Sequence, residues 1–125
     1  MKEKNFYLTE DKELEKMAYR YMKYIHADPS LCGYQYTIYA IVFKMQNTEM
    51  EYTGEKGLYG KIAKKFHNDW RNVERGIRHL SEKLHETLSA GEYTMLFHSK
   101  RKLTNRQFIQ YACNFIRYES EKLKE

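Results

Sequence analysis

Proline is almost missing from this sequence: Pro29 is the single one in 125 residues, beside six glycines. Long helices therefore meet few interruptions, and a collagenous or low-complexity chain is excluded. Cysteine is scarce too. Cys32 and Cys113 have no CxxC partner, so both are expected as small core residues in a reducing compartment. The five histidines, at 26, 67, 79, 85 and 98, fit no zinc-finger spacing with these cysteines, and neither a metal nor a cofactor is expected. No run approaches the roughly 18 consecutive apolar residues of a membrane span. The start, MKEKNFYLTEDKELEK, lacks the apolar centre of a signal peptide. A cytoplasmic location without membrane contact is expected. Also lacking are a Gly-rich phosphate loop, a nucleophile with a paired base, and acid pairs at interpretable spacing, so the chain does not read as an enzyme.

What is there is a globular balance, 31% charged and 42% hydrophobic, in one expected domain over residues 1–125. The net charge is +5, and it is unevenly spread. Residues 61–110 hold eleven Lys/Arg against five Asp/Glu, a local +6 on an otherwise near-neutral body. A basic half of this kind points to a polyanion partner, and a solvated lysine surface is the plainer alternative. Of the twelve tyrosines, Tyr19, Tyr21, Tyr24, Tyr34, Tyr36 and Tyr39 lie mostly in helical apolar stretches, which favours packing over single-strand base stacking.

Apolar spacing near 3.6 recurs along the chain and strict alternation is rare, which predicts an all-α bundle of five or six helices. Thr9, followed by Glu10 and Asp11, signals a helix start; Leu14, Met17, Ala18, Tyr21 and Ile25 form its stripe, and Pro29 is expected to end it. Gly33 to Met45 is apolar on most faces and reads as a buried helix, and Asn47 to Gly57 as a loop. Leu58 to Phe66 forms a short helix with Leu58, Ile62, Ala63 and Phe66 inward. His67-Asn68-Asp69 is a turn in which Asn68 or Asp69 caps a helix from about Trp70 to Leu88. Ala90-Gly91 reads as its stop, and Glu92–His98 as either a short helix or an irregular link. After the basic loop SKRKL, the box Thr104-x-x-Gln107 opens a last helix through Phe108, Ile109, Ala112, Ile116 and Leu123.

The two helices between 58 and 88 form a helix-turn-helix. With Val73 as zero on a wheel, Ile77, Leu80, Leu84 and Leu88 fall within roughly 80° of one another. The opposite face carries Arg71, Asn72, Arg75, Arg78 and His79 in its first half, and Glu82 and Glu86 in its second. That order opposes the helix dipole, as a solvated helix seldom does, and suits a helix whose N-terminal half enters the major groove. Arg75 and Arg78 have the fork for guanine O6 and N7, and Asn72 the amide for adenine. Glu74 has three readings: an acceptor for cytosine N4, an orienter of Arg75 or Arg78, or an ordinary i,i+4 pair with Arg78. Lys64, Lys65, Lys100, Arg101 and Lys102 suit phosphates, with Thr104 beside them.

The string Leu58-Tyr59-x-x-Ile62-Ala63-Lys64-Lys65-Phe66, followed by Val73-Glu74-Arg75-x-Ile77-Arg78-His79, resembles the DNA-binding effector domain of stage-zero sporulation protein A. Gly33-Tyr34-x-Tyr36-x-x-x-Ala40-Ile41 and Lys102-x-Thr104-Asn105-x-x-Phe108-Ile109 agree in the same order. The resemblance implies an all-helical response-regulator effector domain that binds double-stranded promoter DNA, often in tandem. Glu74, Arg75, Arg78 and His79 match family positions at or near the DNA face. Asp69-Trp70-Arg71-Asn72 departs from the family's small-residue run ending in Ser-Arg, so that Asn72 stands where the family has arginine. Gly60-Lys61 replaces its Pro-Asp. The length leaves no room for a receiver domain, so a stand-alone regulator of transcription in sporulation is expected. Its control then lies in its abundance or in a full-length relative. Homodimeric or tandem binding on DNA is the expected assembly. The alternative is a protein-interaction module acting on a full-length regulator or RNA polymerase.

Overall fold

The computed structural model describes residues 9–124, with side chains to Lys122; among them are six α-helices and no strand. The helices are α1 (Lys12–Tyr24), α2 (Cys32–Gln46), α3 (Leu58–Lys65), α4 (Trp70–Thr87), α5 (Ala90–Phe97) and α6 (Asn105–Lys124). The all-α expectation holds, and Glu92–His98 resolves as the body of α5 and its C-cap. Leu123, the last member of the α6 stripe, has its side chain outside the described residues, as does the opening segment 1–8. No helix among the described residues is long and apolar enough to cross a membrane.

The fold is organised around α2, which touches α1, α3, α4 and α6. Tyr36 through Lys44 are all buried, as the lack of a polar face predicts. The polar groups in this stretch find partners: Thr37 Oγ1 donates to the Gly33 carbonyl at 2.6 Å, and Lys44 Nζ to the Met50 carbonyl at 2.6 Å. Helix α4 lies across α2 at a pair of glycines. A Cβ on Gly33 would stand 2.1 Å from the Gly76 carbonyl oxygen, and one on Gly76 2.9 Å from the Tyr36 ring. Hydrogen at Gly33 lets the two backbones come this close, and hydrogen at Gly76 leaves room for the Tyr36 ring. Val73, Ile77, Leu80 and Leu84 of α4 are buried, each contributing roughly 1.5–3 kcal/mol to holding the helix down.

Helix ends depart from expectation in three places. Asp11, not Thr9, caps α1 by accepting from the Leu14 N–H, while the Thr9 N–H donates to the Glu15 carboxylate at 2.6 Å. Pro29 does not end α1. The helix closes earlier, with His26 at φ 64° and the Ala27 N–H bonded to the Met22 carbonyl, the 6→1 closure of a Schellman motif. Ala90-Gly91 is no stop either. Leu88 turns extended, and a reciprocal capping box between Ser89 and Glu92 starts α5 at Ala90. The Thr104–Gln107 box at α6 forms as read.

Cys113 is buried as expected, but Cys32 is exposed because it is the first residue of α2, at the rim of the core. Tyr21, Tyr36, Tyr39, Tyr52, Tyr59 and Tyr93 are buried. Tyr24 is about half exposed and stacks on Phe115 at 5.3 Å.

Candidate nucleic-acid interface

The turn between α3 and α4 is held from below and closed by hydrogen bonds. Phe66 packs edge-on against the rings of Tyr36 and Tyr39, at 4.9 and 5.5 Å. His67 takes φ 52°, and the Asn68 N–H reaches the Ala63 carbonyl at 2.9 Å in another Schellman closure. Of the two cap candidates, Asp69 is the one used: its Oδ1 accepts from the Arg71 N–H at 2.8 Å. Asn68 instead works sideways. Its Oδ1 accepts from the Asp69 N–H at 2.8 Å and from Asn72 Nδ2 at 2.7 Å, and its Nδ2 donates to the Tyr36 hydroxyl at 3.3 Å.

Beyond the cap, Arg71, Asn72, Arg75, Arg78 and His79 are all exposed on one side of α4, and Glu74 is half-buried. Each arginine has a local acceptor. Arg71 reaches Asp69 at 3.5 Å and lies 5.0 Å from the centre of the Trp70 ring. Arg75 Nη1 donates to Asn72 Oδ1 at 3.1 Å. Arg78 Nη1 meets Glu74 Oε1 at 2.6 Å, the i,i+4 pair among the three readings of Glu74. From the far side, Asn105 Nδ2 donates to the Glu74 carbonyl at 2.8 Å and ties the start of α6 to the middle of this face.

The lysines and arginines chosen for phosphates do not form one patch. Lys64 and Lys65 are exposed at the end of α3, beside the start of α4. Lys100, Arg101 and Lys102 lie about 20 Å further along the α4 axis, reckoned at its rise per residue. There His85 Nε2 is 3.3 Å from the Lys100 carbonyl oxygen, and Lys102 Nζ is 2.7 Å from Glu82 Oε2. Lys102 is therefore paired, and its ammonium holds the Glu82 carboxyl below the usual range. The Thr104 hydroxyl accepts from the Gln107 N–H as a helix cap.

One cation escaped the sequence reading. Arg106 is exposed in the first turn of α6, with its guanidinium 4.9 Å from the Tyr52 ring centre. With Thr53, Tyr59, Trp70, Glu74, Thr104 and Asn105 it lines a cleft of about 420 Å³ against the start of α4. Burial there pushes the Tyr59 phenol up to about 12. The available signal was a base in the first turn of a helix, where the dipole disfavours it.

The family described as sporulation initiation factor Spo0A C terminal matches residues 18–116, from the middle of α1 to Ile116 in α6. The chain belongs to this family. It is the DNA-binding effector domain of a sporulation transcription regulator and is not an enzyme family. The matched stretch contains α2 to α5 whole, and with them the α3–turn–α4 unit and all of the exposed donors described above.

Proposed function

We propose that this protein binds duplex DNA sequence-specifically and regulates transcription, with the N-terminal half of α4 in the major groove. The observation that carries this reading is the run of five exposed donor side chains from Arg71 to His79 on a helix seated firmly on α2. Arg75 and Arg78 are the base readers, each with a fork that matches guanine O6 and N7. Glu74 holds Arg78 in place through their ion pair. Arg71 and His79 border the same groove. Lys64 and Lys65 take phosphates at the near edge, and Lys100, Arg101 and Thr104 serve the flanking backbone, with register and not sequence as their contribution.

Selection of bound duplexes from a random pool tests this directly. A defined sequence should emerge, and its affinity should fall steeply with salt. Arg75→Ala should weaken specific binding by about 1–3 kcal/mol while leaving nonspecific binding nearly unchanged. If Arg75→Ala and Arg78→Ala together leave the selected duplex bound as before, the proposed face is wrong. Capture of a regulator or polymerase subunit without any duplex shift at moderate salt would instead make the chain a protein-interaction module.

A further inference from the structure

We infer that Asn72 is a positioning residue that fixes the Arg75 guanidinium through a hydrogen-bond chain beginning at Tyr36, and that it does not read a base itself. The inference rests on the DNA-binding reading above and adds to it the source of specificity at one position.

The chain runs Tyr36–Asn68–Asn72–Arg75. Asn68 Nδ2 donates to the Tyr36 hydroxyl, Asn72 Nδ2 donates to Asn68 Oδ1, and Arg75 Nη1 donates to Asn72 Oδ1. Its polarity is set at both ends. The Asp69 backbone N–H can only donate, and it donates to Asn68 Oδ1, so that atom must be the oxygen. Asn72 therefore turns its amide nitrogen towards Asn68. Its oxygen is left facing Arg75, whose guanidinium also can only donate. Neither amide can flip without putting donor against donor.

An asparagine that reads adenine must offer its nitrogen to N7's side and its oxygen to N6's side together, as an outward-facing edge. Asn72 spends one of those groups on residue 68, in the turn before α4, and the other on residue 75, one turn forward along the helix. Its amide lies along the surface of α4. The root of the chain is rigid, since Tyr36 is buried, packs against Phe66, and presses on Gly76 at the α2–α4 crossing.

Arg75 is the arginine for which such a device makes sense. Arg71 and Arg78 reach carboxylates, Asp69 and Glu74, whereas the described ion pairs include none with Arg75. A neutral amide holds the guanidinium in place without cancelling its charge, so its attraction for the guanine acceptors is kept in full.

The test uses the duplex selected by the wild-type protein, together with every single-base-pair change in it, titrated at one salt concentration. Arg75→Ala should reduce the preference at one G·C pair by about five- to 150-fold, the span of a good bidentate contact. Asn72→Ala should reduce preference at that same pair by about two- to tenfold, with the rest of the site unchanged. Asn68→Ala, further from the groove, should act at the same pair in the same direction. The double variant Asn72→Ala/Arg75→Ala should be no worse than Arg75→Ala alone, because the two side chains act as one unit. Thermal unfolding of each variant separates a loss of fold from a loss of aim.

A loss confined to a separate A·T pair in Asn72→Ala, additive with Arg75→Ala, would make Asn72 a reader and overturn the inference. An unchanged preference in both Asn68→Ala and Asn72→Ala would overturn it as well. If the pool yields no preferred duplex for the wild-type protein, the DNA-binding reading fails and the inference falls with it, a result distinct from either of the others.

Discussion

Residues 71–79 and residues 82–87 belong to one helix and are both solvent-facing on one side, yet they handle charge in opposite ways. In the first stretch the described side-chain partners of the arginines are local: Arg71 with Asp69, Arg75 with Asn72, Arg78 with Glu74. In the second, Glu82 and His85 take partners from elsewhere in the chain. Lys102 covers Glu82, the Lys100 carbonyl meets His85, and the Tyr93 ring packs edge-on against His85 at 4.7 Å. Local partners leave a face open, whereas partners from another element put that element on top of it. The electrostatics follow the same division. Glu82 is offset by a lysine from another segment, whereas the ion pairs among the described residues include none with Arg75.

The hardest way to break this comparison is to lift both halves off their shared support. Gly33→Ala would force a methyl group onto the Gly76 carbonyl, and should cost about 2–3 kcal/mol of unfolding free energy, measured from denaturant midpoints. Gly91→Ala is the control, because nothing lies within 4 Å of its added methyl group; it should raise stability by up to about 0.5 kcal/mol. If the two variants behave alike, the glycine crossing does not hold α4 in place.

A smaller effect sharpens the contrast between the ends. Lys64→Gln and Lys65→Gln should each lower the slope of log affinity against log salt by about one, as expected for a lysine on a phosphate. Lys102→Gln should change that slope much less, because its ammonium already belongs to Glu82. Equal slopes for all three would mean that DNA displaces the Glu82 pair.

The smallest effect is a pH dependence of stability. The Glu82 carboxyl is held below its ordinary value by the hydrogen bond from Lys102, so its folded form releases the proton more readily than its unfolded form. Its contribution is therefore complete above the ordinary glutamate range and fades as pH falls through the lowered value. Glu82→Gln should flatten the acid limb of the stability profile slightly, since both partners are exposed to solvent. A steeper acid limb in that variant would contradict the pairing.

Much of this was legible in the residues. The featureless apolarity of 33–45 marked the helix that sits at the centre, and the stripe Val73–Ile77–Leu80–Leu84 assigned the buried side of α4 and hence its open side. The Thr104 box marked the start of α6. Other features were not legible. His26, His67 and His98 take positive φ at helix ends where glycine is the usual signal, so those ends carried no recognisable mark. Gly91 carried the mark in the wrong place, inside the first turn of α5. Arg106 looked like one more solvated base until Tyr52 and the cleft beside Trp70 gave it surroundings.

The sequence by itself determined which residues point inward and which side of α4 faces out, because a repeat of 3.6 residues is a local property that neighbours along the chain express without help. Only the tertiary structure decided which of the outward charges are available. Lys102 and Glu82 are twenty residues apart, and Asn68 and Tyr36 thirty-two, so their pairing depends on how helices are stacked and not on spacing along any one of them.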